Sequence, residues 1–172
     1  MKREYLYLAY GSNLHPGRLR RRTPSARLLG TTTLRGWGLH WHKRGVDGSG
    51  KCNVVAGQGA ASEVHGAVYA IASAERAALD AAEGEGYGAR TLKIPEYGRV
   101  FLYMARPQYV VEGLRPYRWY RDYVVRGARY HGFPASYVAH ILAMPWLEDP
   151  DPRRSRGHEE ILGALARAAA ED

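Results

Sequence analysis

The sequence predicts an α+β fold in which a curved or closed sheet is laid down first and helices follow. Three observations point there. Short segments rich in tyrosine, leucine, valine and threonine, separated by glycine-containing turns, occupy the chain up to residue 105. After Pro107 the pattern changes to longer stretches with aromatic and apolar residues at helical spacing. Apart from one alanine-rich helix at 74–82, the strands precede the helices rather than alternating with them, which is the order of an α+β fold.

The elements can be justified in order. Residues 4–10 (EYLYLAY) form a short apolar, tyrosine-rich strand that stops at Gly11-Ser12-Asn13, three turn-favouring residues. Asn13 or Ser12 is expected to cap a helical turn around 16–20, where Pro16 suits a first helical position. Strands follow at 26–34 and 36–42. In the second, Trp37, Leu39 and Trp41 share one face, and Gly38, His40 and His42 the other. A glycine-rich loop at 46–50 leads to strands at 53–56 and 64–71. Ser73 is expected to cap the helix at 74–82, although Arg76 stands where a capping box needs glutamate. Glycines 84, 86 and 88 end that helix. Two strands within 90–105 break near Glu96-Tyr97-Gly98. Helices are expected at 117–131, 135–144 and 159–169, with a turn at Gly132-Phe133-Pro134.

A chain of 172 residues can bury one sizeable core, so 1–172 is expected to be a single domain. Apolar residues at 45% and charged residues at 24% exclude a disordered tail. Mean hydropathy is -0.44, and no apolar run approaches the roughly eighteen residues of a membrane span. The apolar stretch before Gly11 is too short for a secretory signal, so a cytoplasmic location is expected. One cysteine, Cys52, excludes an internal disulfide or a cysteine-rich zinc site and reads as a small buried hydrophobe. The net charge of +8 admits nucleic acid, an anionic membrane face or a small anionic substrate. The basic clusters Arg18-Leu19-Arg20-Arg21-Arg22 and Arg153-Arg154-Ser155-Arg156 carry no nucleic-acid motif and read as solvated surface.

Several constellations carry chemistry only weakly. Gly11-Ser12-Asn13 lacks the flanking glycines of a nucleophile elbow, and no histidine is placed as its base. His40 and His42 share a strand face but have no third ligand at a recognisable spacing, so packed histidines are favoured over a metal site. Gly84-Glu85-Gly86-Tyr87-Gly88 follows a helix instead of opening one, which is the wrong order for a phosphate cradle. Glu83 stands at the end of the alanine-rich helix. It reads either as an exposed helix-terminal carboxylate or as a general acid/base at a cavity mouth, where apolar surroundings and the negative helix end would raise its pKa.

Three motifs resemble the γ-glutamylcyclotransferase family, in particular its AIG2-like group. Tyr7-Leu8-Ala9-Tyr10-Gly11-Ser12-Asn13-Leu14 resembles the N-terminal signature, and it follows an apolar strand at the chain start as in that family. Leu79-Asp80-Ala81-Ala82-Glu83-Gly84, then Gly86-Tyr87 and Arg90, resembles the second element, with Gly66-Ala67-Val68-Tyr69 matching the strand before it. Tyr120, Gly127-Ala128-Arg129, Gly132-Phe133-Pro134 and Tyr137 resemble the third. The motifs run in family order over roughly 4–145. The chain departs from several better-known members in having Arg90, seven residues after Glu83, where they carry tyrosine.

The resemblance implies a small mixed β-barrel with packed helices and a cofactor-independent, metal-free cyclisation of a γ-glutamyl compound to 5-oxoproline, releasing an amine or amino acid. Glu83 matches the catalytic glutamate. Tyr7, Leu8, Ala9, Tyr10, Gly11, Ser12 and Asn13 match the loop that holds the γ-glutamyl group, largely through backbone N–H groups. Tyr120 matches a tyrosine that closes the pocket; from its sequence position alone, core packing serves as well. Leucine follows YGS in the glutathione-degrading branch, and this chain has Asn13. The amine half is left open among an amino acid, a simple amine and a blocked metabolite, and the oligomeric state is left open too. A non-catalytic domain of the same fold and a basic nucleic-acid-binding domain are the rival readings; nucleic acid and membrane partners are not expected.

Overall fold

The computed structural model describes residues 3–171. Its main layer is a five-stranded mixed sheet in the order β2-β5-β1-β7-β6. The strands are β1 (Glu4–Ala9), β2 (Arg27–Arg35), β5 (Glu63–Ala72), β6 (Tyr87–Ile94) and β7 (Gly98–Ala105). β1 pairs antiparallel with β5, with Tyr7 opposite Tyr69, and parallel with β7, with Tyr7 opposite Phe101. Leu8, Val68, Ile71, Val100 and Leu102 in these three strands are fully buried, whereas the outer strands β2 and β6 are largely exposed. That distribution follows the sequence: β5 is an almost unbroken apolar run, and β2 carries arginines at both ends and three threonines between.

The expected barrel is not closed. β3 (Trp37–Arg44) and β4 (Gly50–Ala56) form a separate two-stranded ribbon. Side chains, not a strand ladder, tie β4 to the main sheet. Asn53 Oδ1 accepts from the Ala105 backbone N–H at 2.8 Å, and the Tyr87 hydroxyl donates to the Cys52 carbonyl at 2.6 Å. The result is a curled sheet with a ribbon folded against it.

Five helices pack around the sheet: α1 (Pro16–Arg22), α2 (Arg76–Glu83), α3 (Arg118–Tyr130), α4 (Ala135–Leu142) and α5 (Pro152–Glu171). One cluster of buried apolar residues runs from Tyr7 to Leu162. Some boundaries differ from expectation for local reasons. His15, not Asn13 or Ser12, caps α1: its Nδ1 accepts from the Arg18 N–H at 3.2 Å. Ser73 lies inside a 3-10 turn ahead of α2 and makes no cap bond. α5 starts seven residues before 159 because Pro152 occupies its first position and Asp151 Oδ1 accepts from the Arg153 and Arg154 N–H groups.

Candidate active site

β1 delivers the chain to a 3-10 turn at Ser12–Leu14. The turn's own bonds run from Leu14 N–H to Gly11 O and from His15 N–H to Ser12 O, leaving the Ser12 and Asn13 amides outside them. Helix α3 braces this turn at very short range. A Cβ on Gly127 would lie 2.5 Å from the Leu14 carbonyl carbon, so only glycine permits the approach. His131 Nε2, just beyond α3, is 3.0 Å from the Leu14 carbonyl oxygen.

α2 brings in the carboxylate. Leu79 is its one buried residue, and Glu83 follows four positions later on the same side of the helix. Gly84, at φ +77°, turns the chain out of the helix there. Glu83 Oε1 accepts from Arg22 Nη1 at 2.6 Å and from Asn13 Nδ2 at 2.8 Å, and its side chain is 13% exposed. Oε2 has no hydrogen bond among the described residues. Asn13 Nδ2 also donates to the Tyr7 hydroxyl at 2.9 Å, and Asn13 Oδ1 accepts from Arg22 at 3.1 Å. The apolar surroundings expected for Glu83 are therefore not found: a guanidinium and a carboxamide hold it.

Glu83, Tyr7, Tyr10, Gly11, Ser12, Asn13 and Tyr120 meet around a narrow recess of about 20 Å³, the size of about one water. Cys52, Tyr87 and Tyr103 complete its wall. The tyrosine hydroxyls are tied down. Tyr10 donates to the Tyr103 carbonyl, and the Cys52 N–H donates to the Tyr120 oxygen at 3.0 Å. Burial pushes the Tyr7, Tyr120, Tyr87 and Cys52 groups well above their ordinary values, so all four stay protonated at neutral pH; the Glu83 charge adds to the effect on the three tyrosines.

The recess opens into a vestibule of about 400 Å³. Arg18, Arg22, Lys43, Lys51 and Arg154 contribute positive charge, Asp47 and Glu83 negative charge, and Trp119, Tyr120 and Tyr87 aromatic faces. Lys51 bonds Asp47 at 2.8 Å, and burial lowers its pKa to about 8 despite that partner.

Sequence reasoning brings most of the recess together and misses most of the vestibule. Leu8 and Ala9 are fully buried in the core and do not line the recess. Arg90 is exposed on β6, outside both cavities. The arginines of α1, expected as solvated surface, are divided: Arg20 and Arg21 are exposed, and Arg18 and Arg22 turn inward. Their i, i+4 spacing is the signal that places them on one helix face. In the second cluster, Arg154 likewise turns in to Asp149 at 2.6 Å. The histidines stack as a pair at 4.8 Å, with His42 held by Glu112 and Asn53, and no group of three metal-binding side chains occurs among the described residues. Cys52 is buried as expected.

Residues 63–141 match the family model of the AIG2-like family. No curated protein sequence gives a significant match. Among solved structures, an uncharacterized protein from Homo sapiens aligns at 25% identity and TM-score 0.78, over 93% of this chain and 98% of that one. A gamma-glutamyl cyclotransferase aligns at 22% identity and TM-score 0.78, over 94% and 99% of the two chains. YkqA from Bacillus subtilis aligns at 16% identity and TM-score 0.66, over 85% of this chain and 57% of that one. The last two likenesses are likenesses of fold.

Proposed function

Starting from a chain whose residues 63–141 match the AIG2-like family model and whose fold is that of gamma-glutamyl cyclotransferase, we propose that it cyclises a γ-glutamyl compound to 5-oxoproline with Glu83 as general acid/base. The observation that carries this reading is the state of Glu83. One oxygen is fixed by Asn13 and Arg22, the other is uncommitted, and the carboxylate stands where recess and vestibule meet.

In this mechanism the glutamyl chain lies in the recess, which widens to admit it, and the amine half lies in the vestibule. The α-amine attacks its own γ-carbonyl carbon, a C–N bond closes the five-membered lactam, and the original amide C–N bond breaks. The α-ammonium loses two protons on becoming a lactam N–H. The leaving nitrogen gains two on departing as an ammonium, so the reaction needs no external proton, water or oxidant. Glu83 Oε2 takes a proton from the nucleophile and returns it to the leaving nitrogen. Such assistance contributes about 10²- to 10⁴-fold. The Ser12 and Asn13 amides hold the glutamyl carboxylate or the developing oxyanion. Folding a flexible glutamyl chain into its reactive shape in a tight recess contributes up to roughly 7–11 kcal/mol. Asn13 and Arg22 position Glu83, and Tyr120 closes over the glutamyl chain.

Incubation with a panel of γ-glutamyl amino acids and γ-glutamyl amines, followed by mass measurement of 5-oxoproline, tests the proposal. Time-dependent 5-oxoproline with stoichiometric free amine is expected. A folded protein that releases none from any member of the panel would overturn it.

A further inference from the structure

The positive charges around the vestibule do not cancel. Arg22 is committed to Glu83, Lys51 to Asp47 and Arg154 to Asp149. Lys43 and Arg18 have no carboxylate within 4.0 Å among the described residues. Neither is a loose surface side chain. Lys43 is 5% exposed, its ammonium lies 4.5 Å from the centre of the Tyr87 ring, and a Cβ on Gly86 would come within 2.5 Å of its Cε. Arg18 Nε donates to Ser12 Oγ at 3.1 Å, and its guanidinium lies 4.6 Å from the centre of the Tyr123 ring.

The ribbon adds a second anomaly. Lys43 on β3 stands directly opposite Lys51 on β4, so both side chains leave the same face, and both line the vestibule. Like charges directly opposite in a ladder are destabilising, and burying a cation without a partner costs further free energy. Burial accordingly pulls Lys43 and Arg18 below their ordinary values, as it does Lys51. A local rule broken twice at the wall of one cavity marks that wall as built for something of opposite charge.

We infer that the vestibule recognises an anionic amine half: the group that leaves carries carboxylate or phosphoryl charge, which Lys43 and Arg18 neutralise. This rests on the cyclotransferase reading for the glutamyl half. It narrows the substrate class to γ-glutamyl conjugates of acidic amines and disfavours polyamine or lysine side-chain conjugates, whose leaving group would add a cation to an uncompensated wall. The chemistry at the amide is unchanged, and the departing nitrogen leaves as the ammonium of an anionic molecule.

The test compares 5-oxoproline release from γ-glutamylglutamate, γ-glutamyl-O-phosphoethanolamine, γ-glutamylethylamide and γ-glutamylputrescine. The wild type is expected to favour at least one anionic conjugate over the ethylamide by about 10- to 100-fold in kcat/KM, the range for a charge-assisted contact. The preferred anion separates carboxylate from phosphoryl. Lys43→Met should collapse that ratio, Lys43→Arg should retain most of it, and added salt should shrink it. Equal or better turnover of the putrescine conjugate, or an unchanged ratio in a folded Lys43→Met protein, would overturn the inference. A calorimetric titration with free glutamate, O-phosphoethanolamine and ethylamine tests the wall without turnover. Anion binding weakened by Lys43→Met, with no 5-oxoproline from any conjugate, sinks the cyclotransferase reading and keeps the anion site. Turnover without charge preference, and without anion binding, does the reverse.

Discussion

The recess and the vestibule meet at Glu83 and are built by opposite means. The recess is tight, and its walls are aromatic rings fixed at both ends: the Tyr10 and Tyr87 hydroxyls donate to backbone carbonyls, and the Tyr120 hydroxyl accepts from a backbone amide. The vestibule is about 400 Å³, and its walls are long cationic side chains over aromatic faces, such as Lys51 above Trp119 at 4.8 Å. Rings with anchored hydroxyls have few rotamers left to lose on binding, so the recess, once it has widened around a glutamyl chain, holds one shape. Long side chains keep rotamers, so the vestibule selects by charge and accepts varied shapes. The common glutamyl half and the variable amine half of a conjugate family divide in the same way.

The largest expected effect breaks the junction itself. Glu83→Gln keeps an oxygen for Arg22 and Asn13 and removes the proton carrier, so 5-oxoproline formation should fall at least about 10²-fold with circular dichroism unchanged. Near-wild-type turnover in a clean preparation would remove Glu83 from its role. Gly127→Ala attacks the recess from behind. Its Cβ would meet Leu14 at 2.4–2.5 Å, and overpacking of that kind costs about 1–3 kcal/mol. Urea melts should show the loss, and turnover should drop more than binding of free anions in the vestibule. Equal effects on both would mean that the two regions are not mechanically separate.

Each region also has a histidine with a depressed pKa, His15 fully buried and His158 half-buried. His15 lies behind the recess turn and His158 stacks on Trp119 in the vestibule wall at 3.7 Å. Burial first, then neighbouring cations, hold both near pKa about 4, against an ordinary 6.5. Unfolding restores the ordinary value, so the unfolded chain binds more protons in that interval. Stability is fully present above about pH 6.5 and is lost as pH falls toward 4, with up to about 1.4 kcal/mol per pH unit from each histidine. Denaturant midpoints measured from pH 7 to 4 should flatten by about one proton in His15→Asn and again in His158→Phe, and an unaltered slope would count against the assignment.

The smallest expected effect lies at Tyr120, which faces both cavities. Tyr120→Phe removes the acceptor of the Cys52 amide, so some stability is lost whatever its part in binding. Only kinetics discriminate: a substrate hydrogen bond predicts a loss in kcat/KM of about 0.5–1.5 kcal/mol, roughly 2- to 10-fold. Unchanged kcat/KM leaves Tyr120 as packing alone.

The recess is the legible part of this molecule because each of its pieces is a local pattern. A strand ending in Gly11-Ser12-Asn13 and a helix ending in Glu83-Gly84 announce themselves within a few residues. The vestibule is not local. Lys43 and Lys51 become neighbours only through the register of the ribbon, which the 45–49 turn sets. Arg22 finds Glu83 across 61 positions. The open barrel was equally hidden, since the Asn53 side chain takes a place that a strand ladder was expected to fill. The early start of α5 is local, because Asp151-Pro152 is itself a helix start signal ahead of the alanine-rich stretch.

Among the described strands β1 is synthesised first, and it becomes the middle of the finished sheet. Its partners are β5 and β7, and the Tyr10 hydroxyl reaches a carbonyl 93 positions away. Synthesis must therefore pass residue 105 before both edges of β1 are satisfied. Until then an apolar strand with unpaired amides waits, the condition in which nascent chains stick to one another. A topology dominated by such distant pairings folds slowly. Production of this protein should accordingly respond to translation speed and chaperone supply more than to its final stability.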